Sequence, residues 1–397
     1  MIKKATAYYI DAYKGIPKYI WWLSIVNLIN RMGTMVYPFM TIYMTRKLGY
    51  TISEAGFVMA CFGIGGIAGS YIGGKLTDLY GFYKVQFATL FTSGILFIVL
   101  GYVTEYYAIC GTALLLSMAS EAFRPANMSA IGYFTTPENN TKSFSLNRLA
   151  FNLGWAVGGS IGGVVAAIDY HLLFWLDGVT SIFSALAVYF FFHHLTISKR
   201  EKNTEDNIQK GPLQDKIFLF YCFSIFVFAS FFFQNFTNLP AYYRNIFNFK
   251  ESFIGLLFTL NGVLIVLIEM TVVHTIERRN LKHKAVVTGH LLHGAAFLFL
   301  LLLPLTKYGS VTVTLLITMG EILAFPVMYA LWIRRTNDYN RGSYAGWNAM
   351  AWAMAQTVGP YGGALIAEHF GFNSLWLLVA IGSVFTAYCF WYLSKEI

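Results

Sequence analysis

The chain has 397 residues, of which 57% are hydrophobic, 18% are aromatic and only 12% are charged. Soluble domains carry about 25% charged residues, so this composition excludes an ordinary soluble fold and predicts a multi-pass membrane protein. The formal net charge of +9 does not indicate a nucleic-acid partner, because the basic residues are scattered through short segments between apolar stretches and are better explained by membrane topology.

Twelve apolar segments are long enough to cross a bilayer, which takes about 20 residues for each helix. Spans 1 to 6 are predicted at residues 18–44, 53–76, 83–103, 108–133, 143–167 and 172–193. Spans 7 to 12 are predicted at residues 217–240, 252–275, 285–305, 310–333, 344–368 and 373–394. A polar linker, residues 194–216, divides the chain into an N-terminal half, 1–193, and a C-terminal half, 217–397.

The Lys and Arg residues predict the orientation of these spans. With a cytoplasmic N-terminus, 20 of the 28 lie on the side that holds both termini and the linker, and five lie on the other side. This asymmetry follows the positive-inside rule. We therefore expect a protein of the cytoplasmic (inner) membrane with both termini in the cytoplasm.

The two halves resemble each other at an offset near 200 residues. Glu121 in span 4 corresponds to Glu321 in span 10, and Asp78 after span 2 corresponds to Glu277 after span 8. Parallel repeats of six helices imply two bundles related by an axis along the membrane normal. The sequence therefore predicts an all-α integral membrane protein built of two pseudo-symmetric six-helix bundles.

The loop between spans 2 and 3 carries a first motif, in residues 74–84. Gly74, Asp78 and Gly81 match the G-x-x-x-D-R-x-G-R-[RK] loop of the major facilitator superfamily, and Lys84 ends the loop. The basic residues that usually follow the aspartate and the second glycine are absent. In that family the loop latches the two halves on the cytoplasmic side, so the resemblance implies a latch that is weaker or differently built here.

Small residues in spans 5 and 11 form a second motif. Span 5 is similar to the G-x-x-x-G-P-x-x-G-G pattern of the drug/proton antiporter branch, with a glycine in place of the proline, and span 11 keeps a shorter version with the proline. The residues concerned are Gly154, Gly158, Gly162 and Gly163 in span 5, and Gly359 and Pro360 in span 11. Residues 124–126 and 145–148 also resemble bacterial multidrug-type exporters. Small residues at this spacing equally permit close helix packing of no special function, and both interpretations stay open.

The resemblance implies that spans 1, 4, 7 and 10 line a central cavity. Each of these spans carries polar side chains. The candidates for binding substrate or pairing charges are Asn27, Asn30 and Arg31 in span 1, Arg124 in span 4, and Gln234, Asn235 and Asn238 in span 7. No cofactor is predicted. His290 and His293 are three residues apart on span 9, but neither a carboxylate nor a cysteine accompanies them, so we do not expect a metal site.

Three acids are candidates for carrying a proton, because an ionisable residue inside a membrane span is a functional candidate by default. They are Glu121, Glu269 and Glu321. Glu121 is the first choice, since Arg124 lies three residues further on the same helix face and can tune its charge. The rival interpretation of these two residues is a permanently ionised structural pair.

Two further charges have open roles. Arg148 lies about one turn into span 5, where it is expected either to reach the membrane interface or to pair with the loop of Asp78 as a gate. Asp177 lies in span 6 and is expected to be an interfacial residue near its outer end.

Together these features predict a secondary active transporter and not an enzyme, because no nucleotide-binding or hydrolase motif is present. The leading hypothesis is proton-coupled export of small amphipathic molecules by alternating access. Its expected partners are a small-molecule substrate, protons and membrane lipid, and the protein is expected to be a monomer. The alternatives are a proton-driven importer of a nutrient such as a peptide or sugar, and a lipid or lysolipid carrier. A non-transporting receptor fits least.

Overall fold

The computed structural model of the chain describes residue 11 and residues 13–194, 211–302, 306–337 and 339–396. Every regular element in these ranges is a helix. The α-helices are Lys18–Met32, Val36–Arg46, Ile52–Tyr80, Phe82–Leu100, Tyr106–Phe134, Asn140–Ile168, Tyr170–Phe192, Lys216–Phe232, Asn238–Asn245, Glu251–Arg278, Lys282–Leu302, Lys307–Leu331 and Arg341–Glu396. Residues 195–210 of the predicted linker lie outside the described residues.

These helices form the twelve predicted spans in order, in two six-helix halves. Eight of the described helices are long and apolar enough to cross a membrane on their own. The last of these, Arg341–Glu396, contains both span 11 and span 12, because the chain turns inside it at Gly371. The φ angle of Gly371 is +80°, which glycine adopts at little cost and other residues do not.

Span 1 differs from the single helix that the sequence predicts. It consists of two helices, Lys18–Met32 and Val36–Arg46, with a break between them. The carboxylate of Asp177 lies at this break, where it accepts hydrogen bonds from the backbone N–H groups of Met35 (3.0 Å) and Val36 (2.7 Å). Asp177 is fully buried, so the expectation that it is interfacial is wrong. It instead satisfies the N–H groups that begin the second helix.

Span 7 is also broken. The helix Lys216–Phe232 passes into a 3₁₀ turn, Phe233–Phe236, before the short helix Asn238–Asn245. At the break, the side-chain amide of Gln234 donates to the carbonyl oxygen of Gly359 at 2.8 Å, and that of Asn238 donates to Pro360 at 3.1 Å. A Cβ at Gly363 would lie 2.1 Å from the Gln234 side chain. The small residues of span 11 therefore allow these amides to reach its backbone.

The hydrophobic core differs between the two ends of the molecule. We call the end that holds residues 80–82, 135–139 and 279–281 the linker end, and the opposite end the far end. At the linker end, one cluster of buried side chains joins both halves and includes Phe144 and Trp332. At the far end, one cluster around Phe174 belongs to the N-terminal half alone, and another around Trp376 belongs to the C-terminal half alone. Among the residues that the structure describes, the halves thus share a core only toward the linker end.

Asp215 organises the linker end of the C-terminal half. Its carboxylate accepts hydrogen bonds from the N–H group of Phe218 at the start of span 7 and two from the guanidinium of Arg335, both at 2.8 Å. The Tyr344 hydroxyl donates a further bond at 3.1 Å. Burial by itself raises the pKa of Asp215, but Arg335 and the helix N–H groups outweigh it and hold the pKa below the usual 3.8.

We expect Asp215→Asn to lower the free energy of unfolding by about 1.5–3 kcal/mol, the contribution of hydrogen bonds to charged groups. Asparagine keeps the helix cap, so the loss reports the Arg335 pair. Because the folded-state pKa is depressed, the contribution is present above the pKa of the unfolded state and is lost only as the pH falls through the folded value. The difference from the wild type should therefore be the same at pH 5 and pH 8, measured by thermal unfolding in detergent.

Asp169→Asn is the matched control for this change. Asp169 caps span 6 by accepting from the N–H group of His171 at 3.1 Å, and the ion pairs of the described chain include none to Asp169. This variant should unfold like the wild type. Equal losses from both substitutions would contradict a stabilising role of the Arg335 pair.

Candidate functional site

The loop motif after span 2 binds the start of span 11. The Asp78 carboxylate accepts hydrogen bonds from the backbone N–H groups of Gly342 at 2.6 Å and Ser343 at 2.7 Å, and from the Ser343 hydroxyl. A carboxylate is stabilised at a helix N-terminus by the unpaired N–H groups and the helix dipole. A Cβ at Gly74 would lie 2.6 Å from the carbonyl oxygen of Gly342, so the motif glycine permits the close crossing of spans 2 and 11.

The other motif residues of this loop have simpler surroundings. Gly81 joins spans 2 and 3 with a φ of +85°, a conformation that favours glycine. Lys84 is exposed at the start of span 3. The motif thus joins the halves through the carboxylate of Asp78 and the backbone of span 11.

A second contact of the same kind lies at the position related by the repeat. Glu277, at the linker end of span 8, accepts a hydrogen bond from the N–H group of Lys142 at 3.3 Å, in the first turn of span 5. The Lys142 ammonium lies 3.9 Å from the other carboxylate oxygen. The linker end is therefore held by two acidic side chains, each from one half and each at the N-terminus of a helix of the other half.

Further from the linker end, Arg148 of span 5 lies between two carboxylates of the C-terminal half. Its guanidinium is 2.6 Å from Glu269 in span 8 and 3.5 Å from Glu321 in span 10. The Ser145 hydroxyl also donates to Glu269 at 2.5 Å, and the guanidinium stacks on the Phe325 ring at 4.9 Å. Arg148 therefore neither reaches an interface nor pairs with Asp78, and both expectations for it are wrong. We call Arg148, Glu269 and Glu321 the inter-half cluster.

The inter-half cluster is almost completely dehydrated. The exposed fractions of the Arg148, Glu269 and Glu321 side chains are 9%, 0% and 7%. A buried ion pair is strongly destabilised when one partner leaves, by about 3–5 kcal/mol. With both acids ionised the cluster holds one surplus negative charge. Its stability thus depends on the two halves staying together and on the protonation of its acids.

The sequence's first candidate, Glu121, lies in a looser arrangement within the N-terminal half. Its carboxylate is 3.7 Å from Arg124, and about a quarter of each side chain is exposed. Arg31 packs its guanidinium over the Phe151 ring at 4.7 Å, and its Nε atom has no hydrogen-bond partner within the described chain. Arg31 and Glu121 interact electrostatically without forming an ion pair within 4.0 Å.

The glycines of span 5 pack against span 1 next to Arg31. A Cβ at Gly154 would lie 2.6 Å from the Cβ of Arg31, and one at Gly158 would lie 2.7 Å from the carbonyl oxygen of Met32. A Cβ at Gly162 would lie 3.2 Å from the Cβ of Met35. Gly163 is the next residue of the same helix. The motif therefore places the backbone of span 5 directly against the break in span 1.

Buried amides connect spans 1, 4 and 5 beside the inter-half cluster. The Asn27 side chain donates to the side-chain oxygen of Asn147 at 3.1 Å, and Asn127 donates to the same oxygen at 3.0 Å. Asn30, the other predicted amide of span 1, is partly buried. Sequence reasoning missed Asn127 and Asn147. An asparagine inside a predicted span was the available signal, because such amides require hydrogen-bond partners.

A recess leads from the inter-half cluster toward the far end. It is built from the far-end portions of spans 7, 8 and 10, with Glu321 among its lining residues. Asn261 of span 8 donates to Glu321 at 3.0 Å. Of the three predicted amides of span 7, Asn235 lines this recess, whereas Gln234 and Asn238 bind the backbone of span 11. Glu321 thus belongs both to the inter-half cluster and to the lining of this recess.

The architecture and this cluster are those of a two-bundle membrane transporter. Residues 23–353 match the family profile described as Major Facilitator Superfamily, and the chain belongs to this superfamily. It is a multi-pass membrane transporter of that family, as the motifs predicted.

Relatives and solved structures agree with this assignment. The chain is 24% identical to the uncharacterized MFS-type transporter YttB of Bacillus subtilis (strain 168), over 92% of each chain. It is 24% identical to multidrug resistance protein 1 of the same organism, over 84% of this chain and 86% of that one. Its fold is similar to that of a bacterial homologue of the iron transporter ferroportin in an outward-facing state, with a TM-score of 0.75, 16% identity, and coverage of 96% and 100%.

We expect Asp78→Ala to loosen the linker end. The variant removes charge-assisted hydrogen bonds that contribute about 1.5–3 kcal/mol, so opening there should become about tenfold or more favourable. Ala345 in span 11 is fully buried. In a variant without the four natural cysteines, Ala345→Cys should react with a permeant maleimide about tenfold faster when Asp78 is replaced.

The matched control is Glu54→Ala. Glu54 caps its own helix by accepting from the N–H group of Thr51 at 2.8 Å, and the contact lies within one half. This substitution should leave the reactivity at position 345 unchanged. A rate that does not respond to Asp78→Ala would show that Asp78 does not control opening.

Proposed function

We propose that this transporter exports small amphipathic molecules in exchange for protons, and that the inter-half cluster couples the two movements. The observation that carries the proposal is the position of Arg148, a cation of one half buried between two acids of the other. A group that stabilises the closed linker end only while it is ionised can link protonation to the motion of the halves.

The coupling follows from the electrostatics of this cluster. While both acids are ionised, opening the linker end would pull Arg148 away and leave two buried carboxylates without a cation, which is costly. A proton on Glu321 weakens its attraction for Arg148 and lowers the cost of separating the halves. Protonation would therefore favour opening at the linker end, and loss of the proton would favour closing.

The direction of transport rests on the topology predicted from the Lys and Arg residues. If the linker end is cytoplasmic, the far end faces outward, and the recess gives an outside proton a route to Glu321. The cluster would then open to the cytoplasm in its protonated state and release the proton there. Amphipathic molecules would bind from the cytoplasm and leave by the far end, which is the direction of an exporter.

Glu121 remains the alternative proton carrier. Its partner Arg124 lies on the same helix, so the movement of the halves does not need to separate them. We favour Glu269 and Glu321 as proton carriers, because the cation that pairs with them comes from the opposite half. Both acids and Arg148 belong to a single chain, so we propose that the transporter functions as a monomer.

The names of the relatives support export more than import. One relative is called a multidrug resistance protein, and another, 23% identical over 75% of this chain, is called a tetracycline resistance protein of Escherichia coli. The nutrient-importer alternative has a weaker basis, because residues 27–31 keep the arginine of the E-x-x-E-R motif of peptide carriers but have amides in place of both acids.

We expect Glu321→Gln and Glu269→Gln to uncouple transport from protons. Glutamine keeps the size of the side chain and removes its charge and its ability to release a proton. In proteoliposomes that enclose a pH-sensitive dye, ethidium should drive proton movement through the wild type. Each variant should reduce this movement by at least about tenfold, the equivalent of 1.4 kcal/mol.

Glu121→Gln is the matched control, with the same substitution in a charged pair that lies within one half. It should keep proton movement within about twofold of the wild type. Loss of coupling in Glu121→Gln, with normal coupling in the other two variants, would assign the proton to Glu121. Normal coupling in all three variants would overturn the proposed mechanism.

A further inference from the structure

The recess next to Glu321 presents polar atoms that the described chain leaves unused. The side chains that give it its chemistry come from three spans: Asn235, Phe236 and Tyr243 in span 7, Phe258 and Asn261 in span 8, and Glu321 in span 10. Asn235 and Tyr243 are more than nine-tenths buried, and the Oδ1 atom of the one and the hydroxyl of the other have no hydrogen-bond partner in the described chain. Buried polar atoms without partners are rare and indicate a missing ligand or water.

A hydrogen-bond relay sets the orientation of Asn235. The Ser383 hydroxyl donates its proton to the carbonyl oxygen of Val379 at 2.8 Å, so it must accept from Nδ1 of His293, 3.0 Å away. A neutral histidine with a proton on Nδ1 has an acceptor at Nε2. The Asn235 side-chain amide, 3.3 Å from Nε2, therefore presents its NH₂ group to the histidine. Its carbonyl oxygen is left for the recess.

Asn261 is oriented by the same logic. Its NH₂ group lies 3.0 Å from the Glu321 carboxylate and 2.9 Å from the Thr318 hydroxyl. A carboxylate can only accept, so the nitrogen of Asn261 must face it, and the carbonyl oxygen again points elsewhere. Asn261 therefore has both of its N–H donors occupied within the protein, and the NH₂ group of Asn235 is held by His293.

The recess is consequently a site of acceptors. It offers the carboxylate of Glu321, the carbonyl oxygen of Asn235 and the hydroxyl of Tyr243, and none of the described side chains that line it is basic. Phe236 and Phe258 stand beside it as a stacked pair, with ring centroids 5.9 Å apart and an interplanar angle of 7°. Aromatic faces attract organic cations, whereas an anion would find no donor with a positive charge.

We propose that this recess binds the ammonium group of an amphipathic amine, with its apolar body against the aromatic pair. Glu321 supplies the countercharge, Asn235 and Tyr243 accept hydrogen bonds from the ammonium, and His293 is a positioning residue for Asn235. The inference rests on the proposed function only for the statement that the bound amine is the transported molecule. Binding itself is measured without transport.

The test is titration calorimetry of the full-length protein in detergent at neutral pH. The probes are 2-phenylethylamine, which is cationic, 2-phenylethanol, which is neutral, and 3-phenylpropanoate, which is anionic. The amine should bind at least about tenfold more tightly than either analogue. Tyr243→Phe removes one hydrogen bond to a charged group and should weaken amine binding about tenfold.

Tyr242→Phe is the matched control, because the adjacent Tyr242 packs edge-on against Trp376 at 5.4 Å and does not line the recess. It should bind the amine like the wild type. Glu321→Gln should abolish the preference for the amine over 2-phenylethanol, a readout that does not depend on Tyr243.

Three results would overturn the inference. They are no measurable binding of the amine by the wild type, equal binding of 3-phenylpropanoate, or wild-type binding by Tyr243→Phe in a folded protein. If ethidium still drives protons in proteoliposomes, any of these results would leave the proposed function standing. Tight, Tyr243-dependent amine binding without any proton movement would instead support the site and contradict the proposed function.

Discussion

The buried contact of Arg148 with Glu269 and Glu321 constrains the rest of this molecule. A charged side chain in the membrane costs at least about 2.5–3.5 kcal/mol, so three charges inside membrane spans persist only if they compensate one another. Here the cation comes from one half and the anions from the other. Compensation therefore requires the halves to meet, and any rearrangement that separates them must supply another partner for each charge. Neighbouring polar groups also stabilise the two carboxylates, because Ser145 donates a hydrogen bond to Glu269 and Asn261 donates one to Glu321.

The contacts nearer the linker end also require the two halves to lie close together. In the described part of the chain, the hydrogen bonds and ion pairs between the halves lie between the inter-half cluster and the linker end. Asp78 and Glu277 hold helix N-termini of the opposite half, and their places in the repeat make the two contacts equivalent. Asp78 is only partly buried, whereas the Glu277 side chain is 8% exposed and nearly as dehydrated as the inter-half cluster. The cluster and the two acidic caps therefore hold the same closed arrangement of the halves at different depths from the linker end.

Hydropathy and motifs predicted the twelve spans, the two halves and the superfamily, because these depend on patterns along the chain. The two helix breaks were not predictable in the same way. The break in span 1 depends on Asp177, 142 residues from Met35 in sequence, and the break in span 7 depends on the backbone of span 11. The partners of Arg148 were missed for a related reason. A sequence gives the depth of a residue within its span, but not which neighbouring helix its side chain faces, so Glu269 and Glu321 were candidates without a common cation.

Glu321 is the residue at which these features meet. On one side Glu321 faces Arg148. Because Arg148 belongs to the other half, the ionisation state of Glu321 affects how strongly the two halves attract each other. On the other side it faces a recess of acceptors, in which Asn235 is oriented by His293 and Ser383. A cation in the recess and the guanidinium of Arg148 would compete for the same carboxylate, as would a proton. If the recess binds a cation as proposed, an acid placed between it and a cation of the opposite half could couple occupancy to conformation without any contact between substrate and Arg148. In the proposed exchange, a proton and a cationic substrate would exclude each other at Glu321, because both neutralise the same carboxylate.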